Sequence, residues 1–207
     1  MEELIDFLIE IGKLKSIERR GWVLRGVKNP ESIADHIFRT AIMAWIFGEE
    51  KKFNTERVLK IALIHDLCEV YAGDTTPYDS IIPKNKKELK KIMKTLPRFP
   101  AFKKIELADE KHRKEWAALK KLTLKLPTKL RKEILGLWLD YEGGLTKEGR
   151  LVRQVDRIED LLQALEYWKK DKKFPIKGWW VWAKEFFDES LLLEFMNFLD
   201  EKFHSKK

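Results

Sequence analysis

The sequence predicts an all-α fold, on three observations. Apolar residues recur at intervals of three and four along nearly every segment, strand-like alternation of β-branched residues is almost absent, and glycine and proline punctuate the joins between periodic runs. Leu4, Phe7, Leu8 and Ile11 mark a first helix that stops near Gly12 to Ser16. The stretch SIERRGWVLRGVKNP reads as irregular, with Gly21 and Gly26 in it, until Pro30 opens a helix with Glu31 in its first turn. That helix turns Ile33, Ile37, Ala41, Ala44 and Trp45 inward. Asn54 or Thr55 caps the next, over residues 55 to 71, and Gly73 and Pro77 end it. A lysine-rich connection holds one short helix between Pro83 and Pro97. Further helices are predicted over residues 100 to 122, 128 to 141 and 146 to 170, with Gly143-Gly144 separating the last two. Beyond them Phe186, Phe187, Leu191, Leu192, Phe195, Phe198 and Leu199 continue at helical spacing.

Composition narrows the function classes. A chain of 207 residues is long enough for one domain with a sizeable core around a polar site. The net charge is +8, but 42 Lys+Arg stand against 34 Asp+Glu, so most charge reads as solvated surface and nucleic acid is not the expected partner. Cys68 is the single cysteine, which excludes an intramolecular disulfide and suits a reducing cytoplasm. The N-terminus MEELIDFLIEIGKLK is acidic and amphipathic, unlike a secretory signal, and no run approaches the roughly 18 apolar residues of a spanning helix. Trp168, Trp179, Trp180 and Trp182 therefore read as packing or a subunit contact, and the aromatic C-terminal helices as the expected homodimer surface.

The four histidines are His36, His65, His112 and His204. His36 and His65 lie on successive helices, point inward by periodicity, and each stands beside an aspartate, in Asp35-His36 and His65-Asp66. Burying two imidazoles and a carboxylate without compensation is costly, and a divalent cation supplies the missing partner. His65 and Asp66 can share one ion lying over the helix between them, with His36 reaching across from the preceding helix. The mixed nitrogen and oxygen donors suit Mn, Co, Fe, Ni or Zn rather than a structural thiolate site. In RLVRQVDRIEDLLQALEYW, Asp156 sits at the edge of an apolar stripe and can offer a fourth ligand or be a surface acid paired with Arg153 or Arg157, which is how Glu159 and Asp160 read. Asp35 reads as a cap, and His112 and His204 as exposed.

His36, then His65-Asp66, then Asp156 resembles the H…HD…D signature of the HD-domain metal-dependent phosphohydrolases. ERRGWVLRGVKNPESIADHIFRTAIMAW, ALIHDLCEVYAGDTTP and VRQVDRIEDLLQALEY look like three successive blocks of the branch that contains the YfbR-type 5′-deoxynucleotidases. The resemblance implies a helical domain over residues 1–170 with a C-terminal helical extension, 171–207, packed on it. It implies one divalent ion held by His36, His65, Asp66 and Asp156, Co or Mn foremost and Zn, Ni or Fe among the candidates, and hydrolysis of deoxynucleoside 5′-monophosphates by a homodimer. Glu69 and Asp74 match the family's two acidic active-site residues; Arg20 or Arg19, with Trp22, matches its substrate loop. Independently of the family, Glu69 follows His65 by four and Asp66 by three, one turn on along the same helical face, where it can handle protons without ligating. Asp74 can orient water or bond the sugar, or serve only its own turn. Arginine fits a phosphate through its planar fork, and Arg25 can instead brace the loop. Two other readings stay open: an HD phosphohydrolase acting on a triphosphate, cyclic or signalling nucleotide, and a basic helical module that binds RNA or protein.

Overall fold

The computed structural model describes residues 1–95 and 99–204, so Pro97 lies outside the described residues, as do the side chains of Trp182 and His204. In chain order the helices are α1 (Glu2–Gly12), α2 (Arg20–Leu24), α3 (Ile33–Glu50), α4 (Thr55–Ile64), α5 (Glu69–Ala72), α6 (Lys86–Thr95), α7 (Ala101–Leu122), α8 (Thr128–Gly143), α9 (Lys147–Lys170), α10 (Lys177–Phe186) and α11 (Ser190–His204). Tighter 3-10 turns occupy Lys13–Ser16 and Pro77–Ile81. The all-α expectation holds: among the described residues the extended pairing is an isolated antiparallel bridge between Glu18 and Ser32. No described helix is long and apolar enough to cross a membrane.

The chain divides into two compact units, Met1–Asp35 with Asp66–Leu135, and His36–His65 with Gly136–Lys207. In the first, α5 packs on α7, and Leu14, Trp22, Ile33, Cys68, Leu119 and Leu122 are buried. Two expectations shift here. The region after Ile17 is not wholly irregular, because the Asp74 carboxylate accepts the Arg20 backbone N–H at 2.7 Å and so completes the first turn of α2 from far along the chain. The following helix starts at Ile33 rather than Pro30, since Arg19 N–H donates to Glu31 O and Ile33 N–H to Ile17 O, which holds residues 31 and 32 extended. Ser32 and Asp35 then cap α3 reciprocally: the Asp35 carboxylate accepts from Ser32 N at 2.9 Å, and Ser32 Oγ accepts from Asp35 N at 3.2 Å. Asp35 is a cap, as its position suggested. In α1 the expected apolar residues are helical but Leu4 and Leu8 stay exposed.

In the second unit α9 is the central rod, with α4, α10 and α11 packed against it. Val152, Val155, Ile158, Leu161 and Leu165 fill its apolar faces. From α3, Ile37, Ala41 and Ala44 are buried as the periodicity required, whereas Trp45 is 47% exposed and is not a core residue. Asn54 caps α4 by accepting from Arg57 N at 3.0 Å. Asp140 closes the α8–α9 join: its carboxylate accepts from Thr146 N at 2.8 Å and from Arg57 Nε at 3.1 Å.

The helix expected over 55 to 71 is interrupted. In a continuous α-helix the carbonyl of His65 would accept the N–H of residue 69. Instead it accepts the Trp138 indole N–H at 3.1 Å. Glu69 N–H turns to Asp66 O at 3.0 Å, an i to i+3 bond, and α5 begins there. Gly73 ends α5 at φ 70°, ψ 156°, a region that is essentially glycine-only.

Candidate metal centre and acidic site

His36 lies on the first buried turns of α3, His65 at the C-terminal cap of α4, and Asp156 on the inward side of α9. Their ligand atoms all fall within 4.8 Å of one another. The hydrogen bonds decide what those atoms are. His65 Nδ1 lies 2.7 Å from the Ala62 carbonyl, which can only accept, so Nδ1 carries the proton and Nε2 a lone pair. His36 Nδ1 is 2.5 Å from Glu159 Oε2, again an acceptor, which leaves a second lone pair on its Nε2. The two Nε2 atoms then face each other at 3.2 Å, with Asp156 Oδ1 3.1 Å from His36 Nε2. With both rings neutral, two lone pairs and a carboxylate oxygen turned toward one point repel unless a proton or a metal cation joins them. These residues fit a divalent metal by their donor types and by the closeness of their ligand atoms.

The surroundings keep that arrangement fixed. Tyr141 OH donates to Asp156 Oδ2 at 2.7 Å and so orients the carboxylate. Burial pushes the Asp156 carboxyl up, but Arg157 foremost, joined by the two histidines when they are protonated, outweighs it and holds the group well below the ordinary value. Glu159 corrects the sequence expectation: it is fully buried, bonded to His36 and to Arg39, not a surface acid. Asp160 is buried too, with Arg157 at 3.7 Å as expected. Glu159 stands three residues after Asp156, a spacing that places both on one face of α9, and this was the signal that could have found it.

In the other unit Asp66, the chain neighbour of His65, accepts from Arg19 Nη1 at 3.3 Å. Arg20 points elsewhere, its Nε donating to Asp79 Oδ1 at 2.9 Å. Trp22 is buried, and its indole N–H donates to Glu31 at 2.8 Å. Arg25 braces the loop by donating to Gly21 O at 2.7 Å. Glu69 is 1% exposed, and its Oε2 has no hydrogen-bond partner among the described residues. Burial, then the charges of Asp66 and Asp74, push its carboxyl well above the ordinary value, with Arg19 and Lys111 pulling the other way. With the helix broken, Glu69 is not one α-helical turn beyond His65, but it keeps acidic company in Asp66 and Asp74. His112 is half-buried rather than exposed.

Comparison with known proteins gives this arrangement its class. The HD domain model matches residues 11–178, and the chain belongs to the HD-domain family. The 5′-deoxynucleotidase HDDC2 of Xenopus laevis is 37% identical over 172 residues, covering 83% of this chain and 73% of that protein. Among solved structures, a conserved hypothetical protein from Pyrococcus furiosus is 28% identical with a TM-score of 0.68, covering 95% of this chain and 97% of its own. A predicted metal-dependent phosphohydrolase from Magnetospirillum magnetotacticum is 27% identical with a TM-score of 0.58, covering 83% and 77%.

Proposed function

We propose that this chain is a metal-dependent 5′-deoxynucleotidase, releasing phosphate from deoxynucleoside 5′-monophosphates. The observation that carries the reading is the convergence of two buried imidazole nitrogens, 3.2 Å apart, with an Asp156 carboxylate oxygen 3.1 Å from one of them. The similarity to a named 5′-deoxynucleotidase over most of both chains supports the substrate class. His36, His65 and Asp156 hold one divalent cation, with Asp66, joined to His65 through the backbone, as the fourth ligand. Co or Mn is the expected ion, and Zn, Ni or Fe suits the same donors. When bound, the ion neutralises phosphoryl charge and makes a water more acidic.

The chain's own groups do the rest. Arg19, turned toward Asp66, presents the guanidinium that pairs phosphate oxygens, while Arg20 serves the Asp79 turn. Trp22 supports that loop from within. Glu69, whose carboxyl holds its proton more tightly through burial and its acidic neighbours, can give a proton to the leaving 5′ oxygen or, once ionised, take one from water. Asp74 fixes the arginine loop through the Arg20 N–H and can also orient water or bond the sugar. The same reading includes residues 1–170 as the catalytic domain, 171–207 as its extension, a cytoplasmic setting and a homodimer through the aromatic C-terminal helices.

Protein stripped by chelator and resupplied with Co or Mn is expected to release phosphate from deoxynucleoside monophosphates. Turnover of triphosphates or cyclic nucleotides alone would move the substrate class, and no turnover of any nucleotide by the metal-loaded protein would overturn the enzyme reading.

A further inference from the structure

We propose that Glu159, clamped by Arg39, is the positioning residue that presets His36 as a metal ligand, fixing which ring nitrogen carries the proton and where the other points before any cation arrives. The inference rests on the metal-centre reading and deepens it. A neutral imidazole has one N–H and one lone pair, and the lone pair is useful only if the proton is held on the far nitrogen. Glu159 Oε2, at 2.5 Å from Nδ1, provides that hold, and the carboxylate is wholly buried, so water does not compete for the bond. An ionised carboxylate in such a place is costly unless paired. Arg39 pairs it: Nε donates to Oε1 at 2.7 Å and Nη2 lies 2.6 Å from the same atom.

The rest of the guanidinium fork reaches Gln163 and, at 2.9 Å, Glu166. Residues 159, 163 and 166 line one face of α9, and Arg39 follows His36 by three on α3. One arginine therefore spans two turns of α9 and leaves Glu159 a single orientation. A lysine's single ammonium nitrogen lacks the fixed planar fork that holds these three acceptors apart. The histidine, its carboxylate and the arginine behind it form one chain of hydrogen bonds ending at the metal position, the kind of support that tunes affinity without touching the ion.

The test is Co(II) titration of chelator-stripped full-length protein against a chromophoric competitor, with the visible spectrum of bound Co(II) and thermal melts recorded alongside. Glu159→Gln, Glu159→Ala and Arg39→Ala are each expected to weaken Co(II) binding about 10–100-fold and to alter the spectrum. Arg39→Lys should fall between wild type and Arg39→Ala. The double variant Glu159→Ala/Arg39→Ala should bind no more weakly than Glu159→Ala alone, because Arg39 acts through Glu159. Variants that melt earlier yet bind Co(II) with unchanged affinity and spectrum would show a structural ion pair and overturn the proposal. If the Glu159 variants do not fold, 15N NMR of the metal-stripped wild type decides: a proton on His36 Nδ1 supports the proposal, and a neutral ring with its proton on Nε2 alone overturns it. Wild-type protein that binds no Co(II) would sink the metal-centre reading itself, whereas tight wild-type binding with unaffected variants sinks this inference alone.

Discussion

Glu69 shows how a single side chain can be set against the stability of its own fold. Its carboxyl is buried, one oxygen is unpartnered among the described residues, and burial with two neighbouring acids raises its pKa well above that of the unfolded chain, about 4.3. A raised folded pKa means that the native state holds the proton more tightly. The associated stability is fully present below the unfolded pKa and is lost as pH rises through the folded one. In metal-free protein, Glu69→Gln should therefore melt higher than wild type at neutral pH, with the difference shrinking as pH falls toward 4. With metal restored, the same variant should keep its metal content and lose phosphate release; loss of the ion together with activity would show that Glu69 is a ligand.

At the scale of elements, Gly149 marks the tightest join. A Cβ there would meet Asp140 Oδ1 at 2.3 Å and its carbonyl oxygen at 2.6 Å, and Asp140 is pinned by Thr146 and Arg57. Gly149→Ala should therefore destabilise by about 1–3 kcal/mol, read from denaturant midpoints, despite the better helix propensity of alanine. Most element boundaries were legible in the sequence, since α7 and α9 run within a residue or so of the periodic spans 100 to 122 and 146 to 170. The departures share one cause. Where α2 forms unexpectedly and where α4 gives way to α5, the deciding hydrogen bond comes from a distant residue, Asp74 in one case and Trp138 in the other. Local spacing carries no trace of such partners. The same holds in the site: His36 and His65 stood out because an inward polar residue violates its stripe, and Asp156 only in combination with them and the family signature, while Glu159 and Asp160 were hidden on a helix buried on nearly every side.

For the whole molecule, the candidate centre draws its donors from α3, the end of α4 and α9, so an ion bound there ties together helices far apart in sequence. A ligand that binds only the native state adds about 2.7 kcal/mol at a hundred times its Kd. For a chain of this length that corresponds to a rise in Tm of about 5–10 °C. Saturating Co or Mn should produce it in calorimetry, and His36→Ala should abolish it. The bond from Trp138 to the His65 carbonyl carries a wider consequence, because it links positions 73 residues apart at the very dipeptide that names the family. The histidine-aspartate pair is thus not a portable cassette. Transplanted into another helix without an indole to claim that carbonyl, it would wind on as ordinary helix, correct in spelling and mute in chemistry.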